Sequence, residues 1–296
     1  VADQKLTLAQ WRDRAENTLR GAGIDQAGAD VAWIACHVLA VGRGELEAAT
    51  IAGKDLLSGE TISLLDGLVD RRVAREPLWH IIGTAPFLGM DVAVGEGVFT
   101  PRPETELLAH LAVGELMSMD ATAGDLLVWD VGAGSGAIGL AIVQAVAHAR
   151  VWSVEPSDEA RVFLARNVES FGDGRVTIVP ASAAKARQHS EPGSADLVVA
   201  NPPYLIRGVD HLDSETRLGD PDEALFADGE GLDVLIDVID FAQWALRPAG
   251  VLLVEHGTGH NEAVREALGQ RGFSLVSHQA DLVGRPRFTR ATKASV

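Results

Sequence analysis

Leu126-Leu127-Val128-Trp129-Asp130-Val131-Gly132-Ala133-Gly134-Ser135-Gly136-Ala137-Ile138-Gly139 reads as a buried strand, a glycine turn and the start of a helix. The glycines allow a tight turn and a close backbone approach to a ligand, with helix N–H groups nearby. Outward from this stretch, strand-like runs alternate with helical segments. Strands are expected at Leu126 to Val131, Arg150 to Glu155, Val176 to Val179, Ala195 to Ala200 and Gly250 to Glu255, with helices at about 137–147, 157–171, 231–246 and 261–270. That alternation predicts βαβ units and an α/β fold with a parallel sheet. Gly272 to Gln279 and Pro286 to Thr292 are expected to close it as an antiparallel pair.

Upstream the pattern changes twice. Residues 1–76 read as helices only: Thr7 with Gln10 makes a capping box before Leu8, Trp11, Ala15 and Leu19, which share one helical face. A second helix is expected from Asp25 and another from Ser58 or Thr61 to Arg75. In residues 77–103, prolines and glycines break up short β-like runs, Trp79-His80-Ile81-Ile82 and Met90-Asp91-Val92-Ala93-Val94, and a hairpin linker is expected. The chain therefore divides into a helical bundle (1–76), a hairpin linker (77–103) and an α/β domain (104–296).

The 296 residues carry a net charge of −17, which opposes tight binding to duplex nucleic acid, where Lys and Arg must neutralise phosphates. The single cysteine, Cys36, excludes an intramolecular disulfide framework and a cysteine-cluster zinc site, and it falls in an apolar helical run. No metal site is expected. No apolar run reaches the roughly 18 residues that span a bilayer, and residues 1–5 do not read as a signal peptide. A cytoplasmic protein without a membrane partner is expected.

Asn201-Pro202-Pro203-Tyr204 follows the strand Asp196-Leu197-Val198-Val199-Ala200, at the carboxyl end where open α/β sheets place their sites. Two prolines restrict the backbone and hold the Asn201 side chain and the Pro202 carbonyl rigidly. Two acceptors and the Tyr204 ring suit a planar –NH2, either an amide or an exocyclic base amine.

The glycine turn alone has two readings. Gly134 to Gly139 fits a dinucleotide fingerprint, and Glu155 ends the next strand where it can grip a ribose diol, as in a nicotinamide oxidoreductase. Three features favour S-adenosylmethionine (SAM). Asp130 stands two positions before the first glycine, where it can meet a positive amino acid end. The Asn201 loop supplies amine acceptors that hydride transfer does not need. No Tyr–Lys pair or His-based acid stands where a dehydrogenase needs one.

With these residues in place, the chain resembles the release-factor glutamine methyltransferases (the PrmC/HemK family) over essentially its whole length. The resemblance rests on Phe99-Thr100-Pro101-Arg102-Pro103-Glu104-Thr105-Glu106, the 130–139 turn, Glu155, Asn201 to Tyr204, and Asp281-Leu282-Val283-Gly284-Arg285-Pro286-Arg287. It implies a Rossmann-like class I methyltransferase sheet of seven mostly parallel strands, behind a small all-helical domain and a β-hairpin linker. It also implies methylation of the side-chain amide nitrogen of the glutamine in the Gly-Gly-Gln loop of class I peptide-chain release factors, with S-adenosylhomocysteine as product.

By the same resemblance Gly132, Ala133, Gly134, Ser135 and Gly136 line the methionine part of SAM and Glu155 holds its ribose. Asn201 and Pro202 accept the amide hydrogens, while Phe99, Pro203 and Tyr204 surround the amide. The family usually carries an acidic residue followed by an aromatic near the adenine; here Ser182-Ala183 stand in those positions. An N-methyltransferase acting on a base amine of DNA or rRNA is the alternative, and a catalytically silent SAM-binding partner protein a second.

Overall fold

The computed structural model describes residues 6–53, 56–119, 124–210 and 214–295. They form two compact units, one of Val1–Gly83 with Asp213–Gly219, the other of Thr84–Leu212 with Asp220–Val296.

In the first unit, α1 (Leu8–Gly21) starts at the Thr7–Gln10 capping box and buries Leu8, Trp11, Ala15 and Leu19, the residues its 3.6-residue period puts on one face. α2 (Ala27–Leu39) carries the buried Cys36. α3 (Arg43–Ala52) was not expected from the sequence. It is short and buries only Leu46, so its apolar periodicity is faint. The Glu45 carboxylate accepts the Gly42 N–H at 3.1 Å at its start. α4 (Gly59–Val73) begins at Ser58, whose hydroxyl accepts the Thr61 N–H.

Trp79 to Ile82, expected as a strand, is helix α5 (Leu78–Ile82). Pro77 occupies its N-cap and Gly83 closes it at φ +84°, while Leu78 and Ile81 are buried one turn apart. Punctuation at both ends outweighs the β propensity of a four-residue run.

The bundle also buries a charge pair. Arg72 Nε donates to Asp30 Oδ2 at 2.7 Å, with both side chains under a tenth exposed. Removing one partner of such a pair leaves the other ion buried.

In the second unit, β1 (Thr84–Phe87) and β2 (Met90–Ala93) pair as an antiparallel hairpin, followed by α6 (Pro103–Ser118). The sheet comprises β3 (Leu126–Val131), β4 (Ala149–Val154), β5 (Val176–Val179), β6 (Ala195–Ala200), β7 (Leu246–Glu255), β8 (Phe273–Ala280) and β9 (Pro286–Lys293). Their order is β5-β4-β3-β6-β7-β9-β8, parallel through β7, with β9 antiparallel to both its neighbours. The seven-stranded class I methyltransferase sheet implied by the resemblance is the one observed.

Helices cover both faces. α6, α7 (Ala137–Ala145) and α8 (Asp158–Phe171) pack on a core that includes Leu108, Val128, Ile142 and Leu253. The opposite core, with Trp129, Val198, Ile239 and Leu252, takes α11 (Asp233–Ala245) and α12 (Asn261–Gln270). Two short helices, α9 (Ser214–Gly219) and α10 (Asp222–Leu225), precede them. β6 lies between these layers with all six residues buried, in keeping with the apolar run Leu197 to Ala200 that follows Asp196.

Chain winding moves outward from β3 through β4 to β5, then returns to β6 on the other side of β3. That reversal opens a crevice at the carboxyl ends of β3 and β6. Asn167 of α8 fastens the hairpin near it: its Oδ1 accepts the Ala93 N–H at 2.7 Å, and its Nδ2 donates to the carbonyls of Ala93 and Ser135.

Asp30→Ala is expected to destabilise the helical unit by about 3–5 kcal/mol, since Arg72 stays buried without its carboxylate. Urea unfolding followed by circular dichroism measures this; a change under 1 kcal/mol contradicts the assigned weight of the pair.

Candidate active site

The crevice holds a cavity of about 830 Å³. Its lining joins four pieces of chain that the sequence separates: Phe99 and Thr105, the turn Gly132–Ser135, Glu155, and Asn201–Tyr204. Ser182 and Ala183 form part of the wall, as do Val234, Asp237 and Val238 of α11.

The glycine turn is shaped for approach. Gly134 takes φ +55° and its N–H donates to Glu155 Oε2 at 2.8 Å, while the Ser157 N–H donates to Glu155 Oε1 at 2.8 Å. A carboxylate has about four lone-pair sites, so Glu155 stays fixed and still keeps acceptor capacity toward the cavity. Burial pushes its carboxyl above the ordinary value, and the two N–H groups with Arg161 pull it part of the way back.

Gly139 serves packing. A Cβ there would stand 2.9 Å from both Asp130 Oδ2 and Val151 Cγ1, so the glycine lets α7 sit close on the sheet.

Asp130 and Gly136 do not line the cavity. Asp130 is fully buried and its Oδ2 accepts the Gly139 N–H at 3.0 Å. Spacing from the glycines suggested a ligand contact, but a strand alternates its side chains, and this one points under α7. Burial pushes its carboxyl up to about 7 against the Gly139 bond, with Glu155 adding to the rise. Gly136 caps α7 at φ +85°, where a Cβ would meet Leu164. All the other sequence-predicted site residues line the one cavity.

Around Asn201 the structure adds partners that no spacing announced. Asn201 Nδ2 donates to Thr105 Oγ1 at 3.2 Å, and Thr105 Oγ1 donates to Glu255 Oε2 at 3.2 Å. Tyr204 donates its hydroxyl proton to Glu255 Oε1 at 3.3 Å and accepts from Arg287 Nη1 at 2.8 Å. Arg287 also lies over the Tyr204 ring, 5.9 Å from its centroid. Burial, with Glu255 beside it, pushes the Tyr204 phenol well above its usual range. The signal for Glu255 was a lone acid ending an apolar strand beside β6, with Arg287 reaching it from β9.

Phe99 is held indirectly. The Thr100 N–H donates to Asp220 Oδ1 at 2.9 Å, Arg102 pairs with Asp220 Oδ2, and the Arg102 guanidinium sits 5.3 Å from the Phe99 ring centroid.

Charge in the cavity is one-sided. Glu155, Asp158, Glu159, Glu223 and Asp237 line it, and among the described residues no Lys or Arg does. An anionic pyrophosphate or nucleic-acid backbone is poorly matched to such walls; a cation is well matched. Among the described residues no group of three or more metal-ligating side chains occurs, and no helix is long and apolar enough to cross a membrane.

The sheet order β5-β4-β3-β6-β7-β9-β8, with its crevice at the switch point, is that of a class I methyltransferase fold. Residues 10–83 match the family described as the PrmC N-terminal domain, and residues 110–198 match the one described as the precorrin methyltransferase domain. The release factor glutamine methyltransferase of Streptomyces coelicolor is 36% identical over 283 residues, 95% of this chain and 96% of that protein. That of Corynebacterium glutamicum is 36% identical over 293 residues, 97% and 99% of the two chains. A 4-amino-L-phenylalanine/4-methylamino-L-phenylalanine methyltransferase of Streptomyces pristinaespiralis is 36% identical over 256 residues, 85% and 84%. The chain belongs to the release factor glutamine methyltransferase family.

Asp130 carries a pH prediction. Its unfolded carboxyl ionises near 3.8 and its folded one near 7. The proton is therefore held longer in the folded state, and Asp130 stabilises the fold most at low pH. That contribution is lost as pH rises to about 7. Asp130→Asn is neutral and can still accept from Gly139. Its stability relative to the parent is expected to rise by about 2–3 kcal/mol between pH 5 and pH 8. Paired urea melts at the two pH values test this; a difference independent of pH contradicts it.

Proposed function

We propose that the protein transfers the methyl group of SAM to the side-chain amide nitrogen of the glutamine in the Gly-Gly-Gln motif of class I peptide-chain release factors. The observation that carries this reading is that Asn201 and Pro202, at the carboxyl end of β6, line the same cavity as the glycine turn and Glu155, and that the charged side chains among its described lining residues are all acidic.

The cavity residues fit SAM, whose sulfonium and ammonium are positive. Glu155 would hold the ribose with its remaining lone pairs, and the backbone of Gly132, Ala133, Gly134 and Ser135 would receive the methionine part. Asp130 and Gly136 would act only by shaping that turn. The wall formed by Ser182, Ala183, Val234, Asp237 and Val238 would take the adenine. Asp237 is the acidic group on that wall. Burial, then Asp240 and Asp233, push its carboxyl up, so an amine donor there relieves crowded negative charge. When bound, SAM supplies an electrophilic methyl carbon.

An amide nitrogen is a poor nucleophile because its lone pair is delocalised into the carbonyl. Asn201 Oδ1 and the Pro202 carbonyl would accept its two hydrogens, and Phe99, Pro203 and Tyr204 would bracket the amide plane. Positioning of this kind lowers barriers by about 7–11 kcal/mol in favourable systems. As the C–N bond forms and the S–C bond breaks to release S-adenosylhomocysteine, the N–H groups become more acidic, so these bonds strengthen most in the transition state, and one of the two protons then leaves to solvent. The helical unit (1–76) and the hairpin linker (77–103) would dock the rest of the factor. The reading places the protein in the cytoplasm, with no membrane or nucleic-acid partner.

A second reading has specific support in the relative, matched over 84% of its length, that is named for an aromatic amine substrate. Both substrates present –NH2 on a planar carbon, so the acceptor pair suits each. Incubation with labelled SAM and either a Gly-Gly-Gln release factor or 4-aminophenylalanine separates them. Label is expected on the protein, with a gain of about 14 Da on its motif glutamine; label on the amino acid alone overturns the proposal.

Asn201→Ala is expected to lower the transfer rate at least a hundredfold while SAM affinity changes less than threefold. Asp237→Ala is expected to weaken SAM about tenfold by calorimetry, the scale of one hydrogen bond to a charged group. An unchanged rate in the first variant, or unchanged SAM binding in the second, removes the role given to that residue.

A further inference from the structure

We propose that Thr105 and Glu255 are positioning residues that fix which face of the Asn201 amide meets the substrate. The proposal rests on the methyl-transfer reading and names how that site is kept in an accepting state.

An asparagine side chain is an acceptor at one atom and a donor at the other, and its two orientations occupy nearly the same space. For an incoming –NH2 only one orientation works: Oδ1 must face the cavity, because Nδ2 there would set donor against donor. Nothing in the shape of Asn201 makes that choice. Its neighbours do.

The chain of hydrogen bonds runs one way. Glu255 is 2% exposed and, when ionised, can only accept. Thr105, 3% exposed, has a single hydroxyl proton and gives it to Glu255 Oε2 at 3.2 Å. Thr105 Oγ1 therefore presents lone pairs to Asn201 and is met by Nδ2 at 3.2 Å. Oδ1 is left for the cavity. The other carboxylate oxygen is loaded from the opposite side by Tyr204, itself a hydrogen-bond acceptor from Arg287 at 2.8 Å. Both arms converge on one buried carboxylate, which sets the polarity of each.

Protonation of Glu255 removes that bias. A carboxylic acid O–H can donate to Thr105 Oγ1, which frees the Thr105 proton for an Asn201 oxygen and favours the flipped amide. Several groups face Glu255. Arg287 stands on β9, 3.9 Å from Oε1, with Asp281 3.5 Å from Arg287 Nε. Tyr204 comes from the loop after β6, and Thr105 and Glu104 from α6. The adjoining His256 turns to Thr289 at 2.7 Å and to the Gly257 carbonyl at 2.9 Å. Burial pushes the Glu255 carboxyl up to about 7, opposed by Arg287, Thr105 and Tyr204 and assisted by Glu104. The sign follows: the ionised, correctly biased form gains population as pH rises through about 7.

The test uses the full chain and a Gly-Gly-Gln release factor, with SAM binding measured separately by calorimetry. Thr105→Val keeps the shape and removes the hydroxyl; kcat is expected to fall about tenfold or more while SAM affinity stays within about twofold. Thr105→Ser restores the hydroxyl and is expected to recover most of the rate. For the wild type, kcat is expected to fall with acidification below about pH 7. Glu255→Gln cannot titrate, and its rate, lower overall, is expected to be level across the same range.

A readout independent of turnover exists because Tyr204 is the only tyrosine. The ¹³Cζ signal of labelled tyrosine is expected to titrate with Glu255 in the wild type and to stay fixed in Glu255→Gln. If the wild type methylates nothing, the functional reading fails. If it methylates and Thr105→Val matches it, or the wild-type rate and the Tyr204 signal are both flat in pH, this inference is overturned.

Discussion

The crevice between β3 and β6 is the constraint on which the rest depends. A parallel sheet wound outward in both directions from its centre must leave its two central strands uncovered at their carboxyl ends. Here those ends carry the glycine turn and the Asn-Pro-Pro-Tyr turn, so the winding rule alone brings the two turns to one cavity. The two apolar cores exist to hold that register. β6 is buried along its whole length between them, and the half-buried Asn201 follows directly at its end.

Around this opening the electrostatics are unusually uniform. Buried and half-buried carboxylates, Glu155 and Glu255 among them, are held by backbone N–H groups, hydroxyls and one arginine that stays behind Tyr204. Among the described residues no Lys or Arg lines the cavity wall. The walls thus favour a positive ligand, and the acceptors at the rim favour a neutral donor beside it. Under the proposed function the rim would recognise –NH2, a group common to the substrates for which the two kinds of relatives are named.

Much of this was legible in the sequence because it is carried by local rules. The five parallel strands, the terminal antiparallel pair and the Thr7–Gln10 capping box are periodicity and capping, and each is found within a few residues of its expected place. The Leu78–Ile82 helix was misread because four residues rich in Ile and Trp carry a β propensity that flanking Pro77 and Gly83 override. α3 was missed because one buried leucine gives no stripe. Asp130 is a different case, buried under α7 and away from the cavity lining. Its distance from the glycines is correct for a ligand contact, but the pleat turns it away. Thr105, Glu255 and Arg287 lie on three elements far apart in the chain, and their convergence on Asn201 and Tyr204 is a product of tertiary packing that no spacing encodes.

The account is tested most directly by a crystal structure of the protein with S-adenosylhomocysteine and a Gly-Gly-Gln segment bound. It predicts the glutamine amide nitrogen within about 3 Å of both Asn201 Oδ1 and the Pro202 carbonyl, with Asn201 Nδ2 still on Thr105. A glutamine lodged outside the cavity, or an Asn201 oxygen turned toward Thr105 with substrate in place, contradicts it.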